Sequence, residues 1–377
     1  MQKIVLAPDS FKGSLASGRV CDILEESARR FFPEADIVKV PASDGGEGLV
    51  NAVLLWRKGQ RISKIVKDPV FRLVRADYAL LDDGTAVIEI AAASGLPLLE
   101  RELRNPLKTT TFGTGQLIKD ALDNGAKRLI LGLGGSATND GGVGAASALG
   151  MQFYAADGKE IDPTGAGLAR LVAVDATGMD ERLRSVDITI ACDVNNPLYG
   201  PNGASYIYGP QKGATDSQVK QLDENLRHFA DILVRQTGQN VQAIPGIGAA
   251  GGAALPLVIF ADAKLKSGID IALDMMNFAA HLEGCDLVVT GEGQTDDQSV
   301  MGKAIFGISQ RAKESGVPVV VISGALKGNY FPLRDRGVVA FFDCTPRAAS
   351  IKELLAESEQ NLKNAADSVF SLVSAVK

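Results

Sequence analysis

Histidine is nearly missing from this chain of 377 residues: only His228 and His281 occur. Each lies in a helix-like run, LDENLRHFADIL or DMMNFAAHLEG, with no HExxH and no Cys/His cluster beside it. That argues against a histidine-built zinc site and a Ser-His-Asp triad, and both residues read as partly buried helix positions. Cysteine is scarce as well. Cys21, Cys192, Cys285 and Cys344 are scattered without a CxxC, which indicates neither a zinc ribbon nor a disulfide framework and fits a reducing cytoplasm. The opening MQKIVLAPDSF has too few apolar residues before Asp9 for a signal sequence, so export by that route is not expected. One stretch, Ala243–Ala261, runs 19 residues without a charge, but its four glycines and two prolines read as a loop leading into a short buried segment, not a membrane span. Basic charge is also short, with 39 Lys plus Arg against 45 Asp plus Glu and a net charge of −6. Nucleic acid would have to be held against the protein's own field. Neither nucleic acid nor membrane is expected as a partner.

Glycine, by contrast, is abundant: 41 residues, in a chain that is still 46% hydrophobic and not repetitive. Such glycine belongs in the turns and loops of a folded protein. The length implies two to three domains at about 150 residues each. Short β-branched runs end in Gly- or Asp-rich loops and pass into helical patterns, which is how an α/β protein with a mainly parallel sheet reads. QKIVLA leads through PDSFKGS to Val20, Ile23, Leu24, Ala28 and Phe31 at helical spacing, stopped by Pro33. The pattern returns as DIVKVP into LVNAVLLW, KRLILGL into VGAASALG, and CDLVVTG into AIFGISQRAK, followed by VPVVVISG and VVAFFDC. Between them, VFRLVRADYALL and TAVIEIA flank Asp83-Gly84, a two-residue hairpin signal. The economical arrangement is a discontinuous domain of 1–65 and 285–377, with a second α/β domain, 66–284, inserted.

In open α/β sheets ligands bind at the carboxyl ends of strands. The loops there carry Asp9, Ser10 and Lys12; Asp44 and Glu47; Ser136, Thr138, Asn139 and Asp140; Asp193, Asn195 and Asn196; Gln211 and Lys212; and Glu292, Asp296 and Lys303. Glycines let backbone N–H groups approach an anion, and a helix N-terminus adds roughly half a positive charge. A Walker sequence is absent, since Gly302-Lys303 is followed by Ala304 and Gly158-Lys159 by Glu160. Loop lysines can supply the charge instead, each worth about 4 kcal/mol against one phosphate charge at about 4 Å if the effective dielectric is near 20. Aspartates would then hold Mg²⁺, which needs only one or two protein carboxylates beside a nucleotide. For any single loop, turn formation and helix capping explain the same residues about as well. Two strings, Gly246–Gly251 and Gly132–Ala137, also match GxGxxG or its GxGxxA variant, keeping a nicotinamide-dependent hydroxyacid dehydrogenase as an alternative; neither string is specific in so glycine-rich a chain.

Taken as a set, the loops APDSFKGSL, DGGEG, LGLGGSATNDGG, ACDVNNPL, GPQKGA, GAAGG and GEGQTDDQSVMGK resemble the glycerate kinase family, in the family's order, from residue 3 to about 327. Two departures stand out: Ala42-Ser43 precedes Asp44 where Met-Ala is frequent, and Gln294 replaces a common Arg. The resemblance implies a Rossmann-like discontinuous domain carrying an inserted domain, a cleft between them, and ATP- and Mg²⁺-dependent phosphorylation of D-glycerate in the cytoplasm. The expected product is 2-phosphoglycerate; 3-phosphoglycerate, or a kinase of another small hydroxy acid, stays open, as does homo-oligomerisation. On this reading Asp193 is the expected base, with Lys12 and Lys303 neutralising phosphate or carboxylate charge. Substrate or nucleotide contacts are expected from Asp9, Ser10, Glu47, Gly134, Gly135, Ser136, Thr138, Asn139, Gln211, Lys212, Gly291, Glu292 and Gly293. Asp44, Asp140 and Asp296 are the expected metal carboxylates.

Overall fold

The apolar run after Gln2 forms strand Lys3–Leu6, in which Ile4, Val5 and Leu6 are fully buried. A strand this apolar needs neighbours on both edges and cover on both faces. In the computed structural model, which describes residues 1–11, 13–42, 48–297, 299–300 and 303–376, it pairs in parallel with Leu287–Thr290 on one side and Asp36–Lys39 on the other, Ile4 lying opposite Leu287 and Ile37. Val319–Ser323 and Val338–Asp343 extend the sheet in parallel beyond Leu287–Thr290. Counted within this sheet, the spatial order is 2-1-3-4-5, a doubly wound order that reverses between the first and third strands.

These strands belong to the first of two compact units, Met1–Gly45 with Ile269–Lys377; the second is Gly46–Gly268. Both junctions fall earlier in the chain than residues 65/66 and 284/285. Strand Gly59–Lys67 pairs along its whole length with Leu73–Leu81, which carries residues 59–65 into the second unit. Helix Leu49–Trp56 goes with it, because the N–H groups of Gly48, Leu49 and Val50 donate to the Glu89 carboxylate. At the other junction, Arg311 on helix Ala304–Glu314 pairs with Asp270 and Asp274, which places residues 269–284 in the first unit.

In the first unit, helix Ser17–Phe31 buries Val20, Ile23, Leu24 and Ala28, the face its spacing predicts. It packs against helix Ser358–Ala375, where Phe32 meets Phe370 edge-on, ring centroids 6.5 Å apart. The second unit holds a six-stranded mixed sheet in the order Lys264–Lys266, Asp187–Ala191, Arg128–Gly132, Thr85–Glu89, Leu73–Leu81, Gly59–Lys67. The first four are mutually parallel and the last three form antiparallel pairs. The expected hairpin is there, with a different turn. Gly84 N–H donates to the Leu81 carbonyl at 2.9 Å and Gly84 has φ +79°, which makes Asp82-Asp83-Gly84 a three-residue loop with glycine in its left-handed position. The uncharged stretch 243–261 resolves into turns and the short helix Leu255–Ala261 with Pro256 in its first turn, and among the described residues no helix is long and apolar enough to cross a membrane.

Phe370 is fully buried. Phe370→Ala is expected to lower stability by about 3–5 kcal/mol, read as a shift in the urea midpoint; a shift below about 1 kcal/mol would mean that the contact between the two helices is not a core contact.

Candidate active site

The reversal point of the first unit's sheet lies between Lys3–Leu6 and Leu287–Thr290, so the loops leaving these strands face a common crevice. They are tied together directly: Asp9 N–H donates to the Gly291 carbonyl and Ala7 N–H to that of Val289, both at 2.8 Å. Beyond Gly291 the chain lies along the loop after Val319–Ser323. Gly324 and Ala325 donate to the carbonyls of Glu292 and Gly293, Thr295 and Lys327 bond back across, and the Thr295 and Ser323 hydroxyls meet at 2.7 Å.

The result is a cavity of about 450 Å³ within the first unit. Part of its lining is polar and charged, from Asp9, Ser10, Glu292, Gln294, Asp296 and Lys303; Gly293 is also in the wall. Six of the expected residues thus come together here, with Gly291 holding the loop from behind. Lys303 occupies the N-cap position of helix Ala304–Glu314 without a side-chain capping bond, and the first turn contains no acidic residue. Burial pushes the Glu292 carboxyl above the usual range; Asp9 and Asp296 add to that, while Ser299, which donates to Glu292, and Lys303 oppose it. Asp9 accepts from Ser10 N–H at 2.6 Å, and Asp296 accepts from the Gln294 carboxamide at 2.9 Å. Lys12, Asp44 and Glu47 lie outside the described residues.

Much of the remaining lining comes from segments that motif reading missed. Phe11, Ala325, Cys344, Ile351, Leu354 and Leu355 supply apolar wall, and Thr345, Ser358 and Asn361 supply polar groups. The family motifs stop near residue 327, so nothing in them pointed to these positions. The available signal was local: Ser350 and Glu353 form a capping box for helix Ile351–Ala356, whose Ile351, Leu354 and Leu355 share one face at helical spacing.

In the second unit the expected residues fall into two groups. Gly134 and Gly135 are exposed, whereas Ser136, Thr138, Asn139 and Asp140 are buried. Their side chains bond inward. Thr138 Oγ1 donates to the Ala250 carbonyl, and Asn139 Nδ2 to Ser205 Oγ at 3.0 Å. Asp140, expected as a metal carboxylate, accepts from Thr111 N–H and hydroxyl at 2.8 Å and from Gly142 and Gly144 N–H groups through both its oxygens. Burial raises its pKa against those donors. This is the chemistry of a loop anchor. Lys212, expected on a ligand, is 2% exposed and donates to the Thr138 carbonyl at 2.7 Å. Gly251 has φ +73°, and a Cβ on it would lie 2.3 Å from the Thr138 carbonyl oxygen, so glycine here serves the close approach of GAAGG to GSATND. Asp193 and Gln211 are exposed, and Asp193 Oδ1 accepts from Gly268 N–H at 2.7 Å.

The dinucleotide alternative loses its structural context. Gly246–Gly251 follows a 3₁₀ turn, Val241–Ala243, in place of a strand, and after Gly132–Ala137 no helix begins until Val143.

Residues 4–374 match the glycerate kinase family. The chain belongs to that family. It is 47% identical to the glycerate kinase of Haemophilus influenzae, over 97% of each chain, and 43% identical to the glycerate 2-kinase of Escherichia coli, again over 97% of each. A crystal structure assigned as glycerate kinase 2 from Salmonella typhimurium LT2 superposes with a TM-score of 0.86 at 41% identity, covering 99% of this chain and 98% of that one. As a family member the chain is a phosphotransferase acting on a hydroxyl group.

Burial pulls the Lys212 ammonium down from its ordinary 10.5 to about 7, with the Asp140 charge opposing. Between these values the unfolded chain holds one more proton than the folded chain, so this lysine makes stability rise with pH there, and below about 7 the cost of charging it is fully present. In Lys212→Met the rise of Tm across that window is expected to be shallower than in wild type, whatever constant offset the lost bond to Thr138 adds. Equal slopes would refute titration of a buried lysine.

Proposed function

We propose that the chain transfers the γ-phosphoryl group of ATP to the C2 hydroxyl of D-glycerate, giving 2-phosphoglycerate and ADP. The observation that carries this reading is the first unit's cavity: in a family of glycerate kinases, it joins a helix N-terminus with a lysine at its N-cap position, three carboxylates and apolar lining at the sheet's reversal point. Its volume suits a nucleotide, within the roughly 300–1,000 Å³ typical of small-molecule sites, and is far larger than a three-carbon acid requires.

Phosphoryl transfer asks the protein for placement and charge stabilisation more than for covalent chemistry. Lys303 meets the triphosphate together with the N–H groups that open helix Ala304–Glu314, whose dipole adds about half a positive charge. Asp9 and Asp296, with Glu292 behind them, suit a nucleotide-borne Mg²⁺: among the described residues no three acidic, His or Cys side chains form a closed cage, and this ion needs only one or two carboxylates besides phosphate oxygens. When bound, the ion neutralises charge on the phosphates. Asp193 is the proposed base, accepting the proton of the attacking hydroxyl, with Gly268 N–H fixing one of its oxygens. Asp140, Thr138 and Lys212 support the loop that carries Gly134 and Gly135.

Acceptor-dependent ADP release is expected with D-glycerate and Mg²⁺, the product carrying phosphate at C2 by ³¹P NMR. A C3 ester would redirect the product assignment, and absence of acceptor-dependent ADP across small hydroxy acids would end the kinase reading. Lys303→Ala is expected to lower kcat/KM for ATP by about a hundred-fold; unchanged kinetics would remove Lys303 from the phosphate site.

A further inference from the structure

Asn361, the fourth residue of helix Ser358–Ala375, is 7% exposed and lines the first unit's cavity, yet its carboxamide makes no hydrogen bond among the described residues. A primary amide offers two donors and an acceptor, and this one is open to the cavity and not sealed from it. Its helix touches helix Ile351–Ala356, whose cavity-lining Leu354 is half-buried and whose Ile351 and Leu355 are 77% and 41% exposed. These two observations are independent. An exposed apolar wall calls for a flat apolar group, and an unpaired carboxamide beside it calls for a complementary donor–acceptor edge.

An adenine ring satisfies both. We propose that Asn361 reads the nucleobase: its Oδ1 accepts from the exocyclic N6 amino group and its Nδ2 donates to N7, while the ring lies against Phe11, Ile351, Leu354 and Leu355. This assignment rests on the reading of the cavity as the nucleotide site and adds selection among nucleotides to it. Guanine presents two acceptors, O6 and N7, on that edge, so in either orientation of the carboxamide Oδ1 finds no donor and one of the two bonds is lost. The site therefore prefers ATP to GTP. Helix Ile351–Ala356, which buries none of its own residues, gains its apolar contacts from the base.

The experiment measures KM for ATP, GTP and D-glycerate in wild type, Asn361→Leu and Asn361→Asp, alongside calorimetric binding of ADP and GDP. Asn361→Asp keeps the side-chain volume and guards against misfolding of the leucine variant. Asn361→Leu is expected to lose about 10- to 100-fold of the adenine preference, through a raised KM for ATP and weaker ADP binding; Asn361→Asp, which keeps the acceptor for N6 and loses the donor to N7, is expected to bind ADP about ten-fold more weakly while still preferring it to GDP, with the KM for D-glycerate within about two-fold of wild type in both. A folded Asn361→Leu enzyme that keeps the wild-type adenine preference in both measurements, or an Asn361→Asp enzyme that binds ADP as tightly as wild type, would overturn the assignment. Calorimetry does not depend on turnover. An enzyme that transfers nothing to any hydroxy acid but still selects ADP through Asn361 would lose the kinase reading and keep the base assignment; the reverse pattern would do the opposite.

Discussion

The parallel pairing of Lys3–Leu6 with Leu287–Thr290 is the contact on which the first unit depends. It joins residues separated by the whole of Gly46–Gly268, so the third strand of the first sheet enters the chain only after the entire second unit. Strand-strand bonds repay that closure, because loop entropy grows only slowly with length, and Ile4, Val5 and Leu6 are removed from water by their neighbours. The pairing also creates the chemistry. Asp9 N–H bonded to the Gly291 carbonyl sets the two loops side by side, and Asp9, Glu292, Asp296 and Lys303 then converge without any one segment having to carry them all.

The two units use similar loop sequences for different physical ends. In the first, Asp and Glu side chains line a cavity beside a helix N-terminus. In the second, Thr138, Asn139 and Asp140 turn inward and, with Lys212 and Gly251, lock three loops into one piece. Excess glycine alone does not distinguish these cases. Gly251 permits backbone to approach backbone, which is packing, whereas the exposed Gly134 and Gly135 leave a backbone surface open to solvent.

Much of this was legible in the sequence. Each β-branched run named from its pattern became a strand, and Val20, Ile23, Leu24 and Ala28 became a buried helix face, because burial imposes a period that the residues display. Six cavity residues followed from looking at strand ends. The junctions were misplaced because RISKIV has exposed positions on both faces and no internal sign that its partner is Leu73–Leu81. The surroundings of Asp140 were hidden for a different reason. Its four donors come from Thr111, Gly142 and Gly144, and a sequence gives no distances. Asn361 was invisible too, being one polar residue in an amphipathic helix outside the motif-bearing region.

The central claim is that the first unit's cavity is where the nucleotide sits. A crystal structure with Mg²⁺ and a non-hydrolysable ATP analogue tests it most directly. The account predicts phosphates at Lys303 and the opening turn of Ala304–Glu314, carboxylates of Asp9 or Asp296 toward the ion, and the base against Leu354 and Asn361. Nucleotide density on the loop Gly134–Asp140, with none in the first unit's cavity, would contradict it.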